Sequence, residues 1–138
     1  MTFDDKLEEI LNFLDGKICN AEIKIIIQHF CFETWALGNK RLGPRNPKNE
    51  ILRKYKAHFN VLSDDPELLP SYPPESLNRS QFAVRYLRRM LNDKFRNLTY
   101  TKNNPKALLH NSYFTEVKRR FEQTGHIASF STFLDAFR

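Results

Sequence analysis

Apolar residues recur along this chain at helical spacing in several separate runs. Spacings of three and four residues place side chains on one face of an α-helix, and a glycine after such a run indicates where the helix ends. The start of the second run, over 23–27, also tolerates a strand, because β-branched residues pack well on sheets. The pattern predicts an all-α, compact bundle of five or six helices in a single domain over 1–138. These helices are predicted over 3–14, 20–38, 46–62, 78–98, 104–125 and 127–137.

The helix predicted over 78–98 has the most regular pattern in the chain. Its apolar face is formed by Val84, Leu87, Leu91, Phe95 and Leu98. Asn46 and Asn104 are each followed by proline, which predicts two other helix starts, because asparagine caps a helix and proline fits its first position. The second of these helices has a possible restart at Ser112. Between the predicted 46–62 and 78–98 helices, residues 63–76 include four prolines and no lysine or arginine, which predicts a loop near the middle of the chain.

Composition and cysteine content limit the class of protein. The chain has 138 residues, of which 41% are hydrophobic and 28% charged, as expected for one folded domain. Cys19 and Cys31 are the only cysteines, too few for a disulfide framework or a four-cysteine zinc site. The acidic start, with Asp4 and Asp5, is unlike a secretory or mitochondrial signal. We therefore expect a cytoplasmic protein without a membrane segment, a metal or a cofactor.

The charge is distributed unevenly along the chain. The net charge is +6, but residues 1–39 contain three lysines and seven acidic residues, whereas 40–138 contain 19 lysines and arginines and nine acidic residues. An acidic helical pair is thus followed by a basic part. Basic surfaces attract phosphate, so this asymmetry indicates a polyanionic partner for the second part of the chain.

Three groups of basic residues are candidates for contacting phosphates. A stripe on the predicted 78–98 helix faces away from Leu87 and Leu91, a basic loop precedes the third helix, and a third group lies in the later turns of the fifth helix. Each group also has a structural interpretation, such as a solvated helix face or cations that complement a helix C-terminus. In chain order within each group, the candidates are Arg85, Arg88, Arg89 and Arg96; Lys40, Arg41, Arg45 and Lys48; and Lys118, Arg119 and Arg120.

Lys48 and three tyrosines add to the same hypothesis. Lys48 lies near a predicted helix N-terminus, where exposed N–H groups and the lysine would attract the same anion. Tyr72, Tyr100 and Tyr113 lie in or beside polar segments, where they either stack on bases or complete the core. The leading interpretation is a non-catalytic nucleic-acid-binding or nucleoprotein-associated accessory protein, with DNA or RNA as the ligand. The alternative is a protein-interaction module, an adaptor or inhibitor, that binds an acidic protein surface.

One spacing indicates a second alternative, which is catalytic. Arg53 and His58 form an Arg-x4-His pattern in a predicted helix, with Lys54 inside it. This spacing resembles that of the HEPN family of ribonucleases, and the resemblance covers six residues. It implies that the arginine steadies phosphate and the histidine assists proton transfer. The other interpretation of His58 is a packing histidine beside Tyr55 and Phe59.

Overall fold

The computed structural model describes residues 5, 8, 32–95, 100, 101, 108 and 112–136. Within this part of the chain five α-helices have defined bounds and no strand is formed, so the all-α prediction is confirmed. The helices are α1 (Phe32–Ala36), α2 (Glu50–His58), α3 (Arg79–Lys94), α4 (Tyr113–Thr124) and α5 (Ala128–Asp135). Three short 3-10 helices connect them, at Lys40–Leu42, Pro66–Leu68 and Pro73–Glu75.

α3 lies at the centre of a single cluster of buried side chains to which all five helices contribute. It contacts α1 and α2, while α4 packs against α1 and α5. Burying a side chain the size of leucine or phenylalanine contributes about 1.5–3 kcal/mol, so one face of α3 supplies a large part of the packing energy. That face consists of Phe82, Ala83, Tyr86, Leu87, Met90 and Leu91.

The structure confirms the predicted start of α3 and corrects its end. Asn78 is the N-cap, and it forms a capping box with Gln81 in which each side chain accepts a hydrogen bond from the other residue's backbone N–H. The helix ends at Lys94 instead of Leu98, and Phe95 is an extended C-cap residue with 43% of its surface exposed. The buried face also lies further round the helix than predicted, so that Val84 is only half-buried.

The predicted start of α2 is wrong by three residues. The N-cap is Asn49, whose side chain accepts from the backbone N–H of Leu52, instead of Asn46. The reason is a long-range contact, because the Asp93 carboxylate binds the backbone N–H groups of Lys48 and Asn49 and fixes the chain there before the helix begins.

The C-terminal helices follow the prediction where they are described. α4 begins after Ser112, at the predicted restart, and ends at Gly125, whose φ of 76° is the left-handed conformation that glycine favours. α5 lies within the predicted 127–137 run. Most of each of the predicted stretches 3–14, 20–38 and 104–111 lies outside the described residues. In the described ranges, no helix combines the length and apolar character needed to cross a membrane.

The acidic side chains of the proline-rich loop bind the start of α5. Asp65 accepts from the backbone N–H of Ile127 at 3.1 Å, and Glu67 accepts from that of Ser129 at 3.0 Å. The Ser129 hydroxyl also donates to Glu67, and it accepts from Nε1 of Trp35 at 2.8 Å. Carboxylates stabilise the first turn of a helix, where N–H groups have no partner within the helix. These contacts join the middle of the chain to its C-terminal helix.

Candidate nucleic-acid interface

Two cations of α2 hold the basic loop that precedes it. Lys56 Nζ donates to the carbonyl oxygen of Arg45 at 2.9 Å, and Arg53 Nε donates to that of Pro47 at 2.8 Å. Arg45, Lys48 and Arg53 are exposed and Lys56 is half-buried. The loop and α2 therefore present their positive charges together.

Asp93, near the end of α3, joins this loop to the central helix. Its carboxylate accepts from the backbone N–H of Asn49 at 2.7 Å and from that of Lys48 at 3.1 Å. The sequence predicts that backbone N–H groups near Lys48 bind a phosphate. In the structure, those of Lys48 and Asn49 donate instead to the carboxylate of Asp93. The Lys48 side chain, which is exposed, still faces solvent. Asp93 lies one helical turn after Arg89, so the loop adjoins the arginines of α3.

The arginines of α3 lie opposite its buried face, as predicted. Arg85 is exposed, and Arg88 and Arg89 are half-buried. Arg88 Nε donates to the carbonyl oxygen of Tyr100 at 3.1 Å, which anchors its guanidinium beside the helix. Arg96 lies outside the described residues. Arg85 borders a cleft of about 290 Å³, whose other described lining residues are Leu77, Asn78, Ser80, Gln81 and Val84.

The environment of Tyr55 shows that Arg85 and Arg89 also lie close to α2. The Tyr55 hydroxyl donates to Oε2 of Glu75 at 2.6 Å. Burial and the Glu75 contact raise the pKa of Tyr55, and the positive charges of Arg89 and Arg85 act in the opposite direction. The loop, α2 and the side of α3 that carries Arg85 and Arg89 are therefore neighbours.

We call this region the basic surface. Residues 45–58 contain five lysines and arginines and one acidic residue, Glu50, a local net charge of +4. Two further carboxylates border the region, those of Asp93 and Glu75. Among the described residues, no carboxylate lies within 4.0 Å of the cationic groups of the basic surface. Its members are Arg45, Lys48, Arg53, Lys54, Lys56, Arg85, Arg88 and Arg89.

Two members of the basic surface were not among the predicted candidates. Lys54 is exposed and Lys56 is half-buried, and both belong to α2. The signal was present in the sequence, because three of the four residues 53–56 are basic. The Arg-x4-His pattern associates Arg53 with catalysis, whereas in the structure Arg53 lies beside the basic loop and contacts Pro47.

One member of the third predicted group, Arg119, and one member of the loop group, Arg41, are paired within the protein. Glu116, which is 9% exposed, binds Arg119 at 2.5 Å and lies 3.8 Å from Arg41. Two predicted phosphate contacts therefore share one carboxylate. Lys118 is half-buried on the same helix, and Lys40 is half-buried in the loop.

Arg120 is a structural residue and not a phosphate contact, contrary to the prediction. Only 1% of its surface is exposed. One terminal nitrogen donates to the carbonyl oxygen of Asp64 at 2.9 Å, and Nε donates to Nδ1 of His126 at 3.3 Å. Burial lowers the pKa of Arg120 to about 10, although Asp65 and Asp64 favour its charged form. The side chain ties α4 to the proline-rich loop.

His126 is sensitive to this buried charge. Its pKa is lowered from the ordinary value of 6.5, first by burial and then by the positive charge of Arg120. Lys40 acts in the same direction, while Asp65 and Asp64 oppose the shift. Nδ1 accepts a hydrogen bond only while it carries no proton, so the Arg120 contact requires the neutral ring.

Arg53 and His58 do not form one site in this structure. Five residues on a helix rotate the side-chain direction by about 140°, and the two side chains contact different segments. Arg53 reaches the loop at Pro47, whereas His58 Nε2 lies 2.9 Å from the carbonyl oxygen of Ser71. The His58 ring also packs edge-on against Tyr72 at a centroid distance of 5.1 Å. The ring thus makes the contacts of a packing histidine, although the residue is exposed.

The three tyrosines considered for base stacking belong to the core. Tyr72, Tyr100 and Tyr113 are 6%, 2% and 3% exposed. Tyr72 stacks on Phe82 at a centroid distance of 4.9 Å.

No family model, curated protein or solved structure matches this chain. Conclusions about function accordingly depend on the geometry and charge of the basic surface.

Proposed function

We propose that this protein binds nucleic acid through the basic surface, as a non-catalytic accessory protein that contacts phosphates of DNA or RNA. One observation carries the proposal. Cations from a loop and two helices lie side by side, and within the described part of the chain no carboxylate approaches their charged groups to within 4.0 Å. Like charges at close range raise the free energy of the folded protein, and a bound polyanion reverses this effect.

The kind of cation fits phosphate. The guanidinium of arginine is planar and offers paired N–H donors that match two phosphate oxygens. Arg85 and Arg89 are one helical turn apart, about 6 Å along the axis. Duplex DNA carries one charge per about 1.7 Å of axis, so this distance spans about three phosphate charges.

An acidic protein surface is the competing partner. It would have to present carboxylates over the same two helices and loop, at a density that protein surfaces seldom reach. A nucleic acid supplies this charge density along any stretch of its backbone. The observations therefore favour nucleic acid, and binding to proteins is treated below as an outcome of the test.

The first experiment measures binding of labelled 20-mers of duplex DNA, single-stranded DNA and RNA by fluorescence anisotropy at several salt concentrations. If about five phosphates are contacted, log Kobs falls with log salt with a slope of about −4.5 on duplex DNA. Affinity then drops about 500-fold between about 50 and 200 mM salt. No binding to any of the three ligands at 50 mM salt would overturn the proposal.

A charge-matched pair of variants tests the location of the site. Replacing Arg85 and Arg89 with glutamine removes two charges from the basic surface. Replacing Gln123 and Thr132, exposed residues of α4 and α5, with glutamate changes the net charge equally elsewhere. We expect the arginine variant to lose at least about tenfold in affinity and to lower the salt slope by about 1.8, and the control to stay within about threefold. Equal losses in both would show that only net charge matters.

Two other outcomes favour the competing functions. Retention of an acidic protein but of no nucleic acid would favour the interaction module. Cleavage of RNA during long incubation, lost in a folded His58→Ala variant, would show that the protein is a ribonuclease. Either result contradicts a non-catalytic nucleic-acid-binding protein.

A further inference from the structure

Phe95 is an exposed aromatic residue that the core does not use. The sequence pattern groups it with Leu87 and Leu91, but α3 ends one residue before it and its backbone is extended, with φ −130° and ψ 100°. Its exposed fraction is 43%. Among the described aromatic rings, none stacks on it.

Two other large apolar side chains are exposed in the described part of the chain, and both differ from Phe95. Phe32 is 40% exposed and has ring neighbours, with Phe114 at 5.4 Å and Trp35 at 6.3 Å between centroids. Leu68 is 68% exposed in the proline-rich loop and has no aromatic face. Phe95 thus combines an exposed ring with a position next to the basic surface.

Helical geometry places Phe95 at one end of the α3 arginines. The backbone N–H of Phe95 still donates to the carbonyl oxygen of Leu91 at 2.9 Å, so its Cα continues the helical path although its own backbone is extended. This Cα lies seven residues after Arg88, a rotation of only about 20° and a rise of about 10 Å. The exposed side of α3 therefore runs from Phe95 past Arg88 and Arg85 to Arg89. Lys94, which is also exposed, immediately precedes the ring.

We propose that the basic surface binds single-stranded nucleic acid, with one base stacked on Phe95 while neighbouring phosphates contact Arg88 and Arg85. This inference rests on the proposed function and specifies its ligand. Sites for single strands combine a positively charged track with an aromatic ring, because every base has a face that can stack. In a duplex the interior bases are stacked on each other, so a free face is present only at the two ends. The phosphates of a duplex still reach the arginines. The contribution of Phe95 to affinity therefore distinguishes a single strand from a duplex.

The experiment compares wild type and Phe95→Ala on a single strand and on a duplex of the same length and at the same salt. We expect the single-strand affinity to fall about 5- to 150-fold, the range measured for one base stacked on an aromatic ring. Duplex affinity should stay within about twofold. Leu68→Ala removes an exposed apolar side chain elsewhere and should change neither affinity.

A second variant reports stacking directly. Phe95→Trp keeps an aromatic face, so single-strand affinity is retained and the fluorescence of the new indole is quenched by a bound base. Trp35 is the only natural tryptophan and is 6% exposed, so it contributes a background that the ligand does not reach. Unquenched fluorescence in a saturated complex would overturn the inference.

The outcomes separate this inference from the function on which it rests. If glutamine at Arg85 and Arg89 abolishes binding while Phe95→Ala has no effect, phosphate binding stands and base stacking is wrong. Equal loss by Phe95→Ala on both ligands would also overturn stacking, because a duplex offers a base face only at its ends. If wild-type protein binds no nucleic acid, both proposals fail.

Discussion

Replacing Asp93 with alanine should destabilise the protein by about 2–3 kcal/mol. In the folded protein this carboxylate accepts from two backbone N–H groups, those of Lys48 and Asn49, at distances of 3.1 and 2.7 Å. The substitution leaves both donors without a protein partner at the point where the chain enters α2. It also releases the basic loop from α3.

The magnitude follows from the kind of hydrogen bond. A bond to a charged group contributes about 1.5–3 kcal/mol. Lys48 is exposed and Asp93 half-buried, so water replaces part of what is lost and the lower end applies to each of the two bonds. Asp93→Asn keeps an acceptor oxygen but loses the charge, and we expect it to cost about 1 kcal/mol.

Urea unfolding followed by the fluorescence of Trp35 measures these differences. Glu122→Ala is the control, because it removes an exposed acid from α4 and should change the free energy of unfolding by less than about 0.5 kcal/mol. The reasoning is refuted if Asp93→Ala is no less stable than Glu122→Ala. It is also refuted if the asparagine variant is less stable than the alanine variant.

Three further predictions use the same unfolding measurement. Gly38→Ala should lower the free energy of unfolding by about 1–3 kcal/mol through overpacking, since the added Cβ would lie 2.0 Å from Cδ1 of Ile127. A variant as stable as wild type would contradict the described packing. Gly125→Ala should lower the free energy of unfolding by about 1–2 kcal/mol for a different reason. The position has open space around it, but its φ of 76° is a left-handed conformation that alanine adopts only with strain. Asparagine at this position should cost less than alanine. Stability should decrease as the pH falls below about 6.5, because the pKa of His126 is lowered in the folded state and the unfolded chain takes up the proton first. His126→Gln should weaken this pH dependence of stability between about pH 7.5 and 5.5. An unchanged profile would contradict the prediction, because it would show that protonation of His126 does not change the free energy of unfolding.

Local signals predicted much of the helical framework. Asn78 as the cap of α3, Ser112 before α4 and Gly125 after it were all readable from the sequence. Capping and helical periodicity act within one or two turns, so neighbouring residues suffice to indicate them. The same signals failed at Asn46, where a good cap and a proline do not start a helix.

The candidate site was predictable in part. The exposure of Arg85 follows from its position opposite the apolar stripe, and the basic character of the loop is plain in the sequence. The burial of Arg120 was not predictable, because lysine and arginine late in a helix usually complement its C-terminus in solvent. Its partner, the carbonyl oxygen of Asp64, lies 56 residues away in the chain.

The sequence by itself determined that this is an all-α protein with a positive charge concentrated after residue 39, since periodicity and charge are properties of the chain. The tertiary structure decided which of those charges remain available. It placed Asp93 against Lys48, 45 residues apart, and joined the loop to α3. It also buried Arg120 and paired Arg119 with Glu116, while Phe95 was left exposed. Contacts between distant segments depend on how the helices pack, and that packing is not encoded in any local pattern.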